Sequence, residues 1–185
     1  MWPWGHLAFA YVLYSGVVHL RYRRGPAWPG IVLVALGSQT PDLIDKPLAW
    51  TLNVLPSGRS LGHSFLVGTV VVFVAVALLR RYRLKGWPFA LGYYSHLLGD
   101  SIRPLLDGRI HDLAFLLWPF FEPETTGTGP PVGIVRYLLN AQLEGSVLFE
   151  LGLAAVVFVW WLLDGAPGVR PLWRLIRRRS VRSAE

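Results

Sequence analysis

The chain has 185 residues, room for one domain; 53% are hydrophobic and 16% charged, with a mean hydropathy of +0.42, where a soluble globular protein carries roughly 25% charged residues. Cysteine is absent, which excludes disulfides and thiolate metal sites and leaves imidazole and carboxylate as ligands. The net charge of +7 sits in three short clusters between apolar runs, Arg21-Tyr22-Arg23-Arg24, Arg80 to Lys85 and Arg174 to Arg182; that is the pattern of cytoplasmic loops, not of a nucleic-acid-binding surface.

In chain order the apolar runs predict five membrane spans, each measured against the ~20 residues that cross a bilayer core. Leu7 to Leu20 is short and aromatic-rich, and His6 opens it. Trp28 to Ile44 is closed by a polar turn carrying Asp42 and Asp45 before Lys46-Pro47. Leu61 to Leu79 is the clearest span; His63 and Ser64 open it after the turn Pro56-Ser57-Gly58-Arg59-Ser60. Trp87 to Ile102 is interrupted by Ser95, His96 and Asp100. Leu113 to Phe121 is too short to span and reads as an interfacial or re-entrant segment, and Pro123 to Pro131 reads as a loop. Ser146 to Leu163 is apolar except for Glu150. The start lacks a charged segment and a small-residue cleavage site, so no removable signal peptide is expected. The expected fold is an all-α, polytopic membrane helical bundle in one domain, 1–185: metal-site helices 1–105, an outer loop with the re-entrant segment 106–145, and the last span with a basic tail 146–185. A soluble bundle with buried apolar helices is the competing reading.

Placing all three basic clusters in the cytoplasm sets the N-terminus outside and the C-terminus inside. His6, Asp42, Asp45, His63, His96 and Asp100 then all fall toward the extracytoplasmic face, and of the five His only His19 lies at the cytoplasmic end. His96 and Asp100, four residues apart, share one helix face. Ionisable groups inside an apolar span are expensive and mark function. His6, Asp42, His63, His96 and Asp100 are therefore candidate metal ligands. Asp45 is either a group that supports a ligand or a general base; Glu150, one turn inside the last span, faces the site or is protonated. His111-Asp112 reads as ordinary surface. Such a ligand set suits Zn²⁺, or Mn²⁺ and Fe²⁺ less specifically. An ion so held acidifies water and polarises a phosphoryl or acyl oxygen, and Asp45 or Glu150 would accept the proton. Ser60 and Ser64 lack an activating motif.

The set His6, Pro41-Asp42 with Asp45, Leu61-Gly62-His63-Ser64 and Gly92-Tyr93-Tyr94-Ser95-His96-Leu97-Leu98-Gly99-Asp100 resembles the membrane-bound metal-dependent hydrolases, also described as LexA-binding, inner-membrane-associated hydrolases. The likeness runs from residue 1 to about residue 105. The His96 block, with Pro104 four residues after Asp100, is also similar to the zinc-binding segment of soluble zinc-dependent phospholipases C and P1-type nucleases. The resemblance implies that Asp42, His63, His96 and Asp100 hold one zinc and that His6 joins Asp100 at another. Those enzymes place a His two residues after the proline, where this chain has Leu106, and later a His-x-x-x-Glu, where it has Ser146-x-x-x-Glu150. One or two ions are thus expected, not three.

The first functional reading is a metal-dependent hydrolase that cleaves a lipid phosphoester or ester at the outer membrane surface. The second is a non-catalytic scaffold or partner-binding protein clamped by a structural metal. Transport is disfavoured, because Val70 to Leu79 and Ala154 to Leu163 offer no polar path through the inner half of the bilayer.

Overall fold

A computed structural model of the chain describes residues 1–123 and 145–169. Most of the segment from Pro123 to Pro131 and the basic cluster from Arg174 to Arg182 lie outside them. The described residues form five α-helices and one 3-10 helix, with no strand: α1 (Pro3–Tyr22), α2 (Trp28–Trp50), α3 (Phe65–Arg81), α4 (Trp87–Leu106), the 3-10 helix (Ile110–Leu117) and α5 (Gly145–Leu163). Three of these helices open on Trp-Pro, at Pro3, Pro29 and Pro88, where the locked φ of proline suits a first helical turn that needs no N–H donor.

Helices α2 and α4 form the central pair, α1 packs across both, α5 covers α1, and α3 with the 3-10 helix covers α4. The central pair meets backbone to backbone. A Cβ on Gly37 would lie 2.2 Å from the Phe89 carbonyl oxygen, and one on Gly92 would lie 2.2 Å from that of Val34. Only glycine permits that approach. Leu33, Val72, Phe89, Tyr93 and Leu97 fill the space between α2, α3 and α4; Ala10, Tyr14, Val18 and Val34 fill that between α1 and α2. Asp164, just past α5, ties that helix to α1 by accepting from Tyr11 Oη at 2.6 Å and Ser15 Oγ at 2.8 Å.

Helices α1, α2 and α4 overrun the expected spans, whereas α3 starts later than expected, at Phe65. Asp42 and Asp45 do not close α2 on a polar turn; both lie inside the helix, which runs through Pro41 and Pro47 to Trp50. Both carboxylates are buried and partnered, Asp42 by Lys46 one turn along α2 and by His63, Asp45 by the turn before α3, so they have no need of a solvated turn. His63 belongs to the turn before α3, and Ser64 caps that helix by accepting from Val67 N at 3.3 Å. The segment expected to be re-entrant is a 3-10 helix packed on α3 and α4 through buried Phe115.

Among the described residues no helix is at once long and apolar enough to cross a membrane. Length and apolarity fall on different helices. Helices α2 and α4, of 23 and 20 residues, enclose Asp42, Asp45, Lys46, His96, Asp100 and Arg103, whereas the apolar α3 has 17 residues. Helix α5 begins at the edge of the described residues.

Candidate metal centre

The N-terminal end of α1, the C-terminal part of α2, the turn before α3 and the second half of α4 converge at one end of the bundle. They bring together His6, Asp42, His63, His96 and Asp100, all buried. His63 Nε2 lies 3.5 Å from both Asp42 Oδ1 and Asp100 Oδ2. His96 Nε2 lies 3.7 and 3.8 Å from the same two oxygens, and the two Nε2 atoms are 3.0 Å apart. His6 stacks on the His96 ring at 3.6 Å between centroids, with its Nε2 3.3 Å from Asp100 Oδ1. Neither of its buried ring nitrogens makes a hydrogen bond.

The far side of each imidazole decides what faces inward. His96 Nδ1 lies 2.6 Å from the Ser38 carbonyl oxygen, which can only accept, so this nitrogen carries the proton. That bond depends on the glycine contact between α2 and α4, since Ser38 follows Gly37 and His96 lies one turn beyond Gly92. His63 Nδ1 likewise lies 2.8 Å from Asp45 Oδ2 and donates to it. Both Nε2 atoms thereby point at Asp42 Oδ1 and Asp100 Oδ2, where each would offer a lone pair to an ion that displaces any proton held there. Four electron-rich atoms thus face one another at 3.0 to 3.8 Å. A tetrahedron with Zn–N and Zn–O bonds of ~2.0–2.1 Å has edges of about 3.3 Å. The donor set fits a divalent transition ion. Burial opposes a charged His63, yet its bonds to Asp100, Asp42 and Asp45 outweigh that and push the pKa of this imidazole, outside the helices, up to about 10. A positive charge is what this point in the cluster calls for.

Two overlapping groups have metal-binding spacing: Asp42, His63 and His96, and His6, His96 and Asp100. They share His96, whose Nδ1 is committed to Ser38. One nitrogen serves one ion, so the geometry favours a single ion with His6 beside it.

Asp45, expected either to support a ligand or to act as a base, has no exposed surface and accepts four hydrogen bonds. Its Oδ1 accepts from Gly62 N at 2.7 Å, and its Oδ2 from Ser60 N at 2.7 Å, His63 N at 3.2 Å and His63 Nδ1 at 2.8 Å. The approach that makes this possible places Gly62 against α2, where a Cβ would lie 2.8 Å from the Pro41 carbonyl oxygen. Glu150 is not among the clustered oxygens; its Oε2 accepts from Trp2 N at 2.7 Å, setting a carboxylate at the N-terminus of α1. His111 is exposed and pairs with Asp112 at 3.1 Å, as expected of surface.

Sequence reasoning missed Arg59 and gave Lys46 no role at the site. Arg59 Nε lies 3.1 Å from Asp100 Oδ2, and its guanidinium sits over the Phe115 ring. Lys46 Nζ donates to Asp42 Oδ2. The Met1 amino group donates to Asp100 Oδ1 at 2.8 Å. The side chains of Arg59 and Lys46 keep 36% and 17% exposure around a cluster that is otherwise sealed, so they border its approach from solvent. The available signal was a cation placed four residues before His63 in an otherwise uncharged turn.

No curated protein and no solved structure matches the chain. The model of one family, described as YdjM inner membrane protein, matches residues 1–167, a span that takes in every residue of the cluster; the chain belongs to that inner membrane family.

Proposed function

We propose that the protein is a metal-dependent hydrolase embedded in the inner membrane, acting on a lipid phosphoester or ester at the membrane surface. The observation that carries this reading is the inward convergence of two tautomer-locked imidazoles and two carboxylates. Asp42, His63, His96 and Asp100 would hold one zinc ion, with Mn²⁺ or Fe²⁺ as alternatives. When bound, such an ion supplies Lewis acidity toward a phosphoryl or acyl oxygen and acidifies water. Asp45 and the Ser38 carbonyl orient the two imidazoles. Arg59 and Lys46, at the mouth of the cluster, attract an anionic group and align it with the ligands. The buried walls limit the water that reaches them.

Membrane placement is supported by the family and by exposed apolar side chains. Val70, Phe73 and Leu78 on α3, and Phe149, Val156 and Leu163 on α5, are more than half exposed and suit contact with acyl chains. The cations of the two described basic clusters lie at the bundle end opposite His6, His63 and His96, which supports an extracytoplasmic metal centre in a multi-pass chain. A structural ion in a non-catalytic scaffold is the second reading. It is favoured by the four hydrogen bonds that Asp45 accepts and by the engagement of Glu150 with the start of α1, structural duties that compete with proton transfer.

Metal analysis of the purified full-length protein tests both. Wild type retains a transition metal, His96→Ala and Asp100→Ala lose most of it, and His19→Ala, at the opposite end, retains it. Metal content indifferent to His96 and Asp100 would refute the centre. A screen of lipid phosphoesters with metal-loaded protein then separates the readings. Turnover supports the hydrolase; a blank screen, with metal removal still lowering the melting temperature, supports the scaffold.

A further inference from the structure

A second polar constellation lies at the other end of the bundle. Tyr14, on α1, is eight residues past His6, about 12 Å along the helix at ~1.5 Å per residue. It lines a cavity of about 230 Å³ enclosed by the C-terminal ends of α1 and α3 and the N-terminal ends of α2 and α4. Arg24, Arg83 and Lys85 border this cavity, and no Asp or Glu lines it. None of the three cations has an ion-pair partner among the described residues. The nearest acid in that end of the fold, Asp164, is turned to Tyr11, Ser15 and His19.

Two further features point inward. Helices α2 and α4 start here on Ala27 and Gly86, with no side-chain cap and no acid in the first turn. Pro29 and Pro88 have no N–H, so each first turn offers an anion the amides of its first and third residues, Trp28 and Gly30 or Trp87 and Phe89, beside the positive dipole end. Tyr14 is 4% exposed, and its side chain lines the cavity. The hydroxyl reaches the first turn of α2, where a Cβ on Gly30 would lie 1.8 Å from it. Trp87 packs on the Tyr14 ring at 5.3 Å and keeps the ring aimed into the cavity. The phenol hydroxyl opens on the cavity and can donate to an acceptor held there, and the cations around it favour a charged one.

The geometry points to a second ligand site, independent of the metal centre, that binds a phosphate-bearing anion through Arg24, Arg83, Lys85, the Tyr14 hydroxyl and the two helix N-termini. A phospholipid headgroup and a free phosphate share that chemistry. The cavity admits a phosphate with a small ester group.

The test uses full-length protein in nanodiscs. Equilibrium dialysis in zwitterionic-lipid discs measures binding of inorganic phosphate, and native mass spectrometry of protein released from phosphatidylglycerol-containing discs measures retained anionic lipid. Combining Arg83→Gln with Lys85→Gln should weaken the bound species at least about tenfold, as loss of charge-assisted hydrogen bonds does. Tyr14→Phe should weaken it several-fold. Arg81→Gln, which removes one charge from an exposed position outside the cavity, should leave it unchanged. Phosphate dependent on these residues identifies a free anion; lipid dependent on them identifies a headgroup; either outcome supports the site. Binding of neither probe, equal binding by wild type and the double variant, or an equal loss in Arg81→Gln would overturn it. Retained metal in each variant confirms that the opposite end remains folded and separates this result from the fate of the metal centre.

Discussion

Asp45→Asn preserves the shape of a fully buried side chain and removes its charge. The carboxylate serves four donors, with Gly62 N on one oxygen and Ser60 N, His63 N and His63 Nδ1 on the other. An amide has one oxygen to offer. Turned the better way, it keeps the three donors on Oδ2 and sets its NH₂ against the Gly62 N–H. At least one buried donor is then orphaned, which costs about 1–3 kcal/mol of stability. The His63 ring also loses the anion that makes it a strong ligand, and removal of such an outer partner lowers metal affinity by about 10–100-fold. Zinc titration of the purified variant against a chromophoric chelator, with a thermal melt beside it, measures both effects. A variant that binds zinc as tightly as wild type while hydrolysis falls by about 10² to 10⁴ would refute this reasoning and make Asp45 the proton acceptor.

Two other expectations test the fold and its placement. Gly92→Ala drives a methyl group to 2.2 Å from the Val34 carbonyl oxygen and should lower stability by about 1–3 kcal/mol or more, lengthen the His96–Ser38 bond and weaken metal retention. Gly16→Ala, with no atom within 4 Å, should instead stabilise α1 by about 0.5–1 kcal/mol in the same melt; equal effects would mean that the helices do not touch at Gly92. In this cysteine-free chain, an impermeant thiol reagent should label exposed Asn53→Cys in intact cells and Arg81→Cys only after permeabilisation; the reverse pattern would invert the orientation.

The sequence carried the helices and the identity of the clustered residues, because apolar runs and isolated ionisable residues are local signals. Helices α1, α3 and α4 lie where hydropathy placed them, and His63, His96 and Asp100 were conspicuous in apolar surroundings. What each polar residue does was less legible. Asp45 reads equally as a base or a support until the turn from Ser60 to His63 folds over it and supplies its donors. Glu150 looked like an unpaired charge inside a span because its partner, the Trp2 amide, is 148 residues away. The end of α2 was placed too early for the same reason: polar residues stop a helix only when nothing in the fold satisfies them. The phenol of Tyr14 was indistinguishable from other aromatic residues until the helix ends around it were in place.

Contributions from α1, α2, the following turn and α4 make the metal centre a late event in the life of the chain. A growing polypeptide that ends before α4 carries His6, Asp42 and His63 but neither His96 nor Asp100, the residues that close both candidate ligand groups. An ion held by this cluster would be captured only after α4 has docked on α2. The ion must also arrive from the side where Arg59 and Lys46 meet solvent.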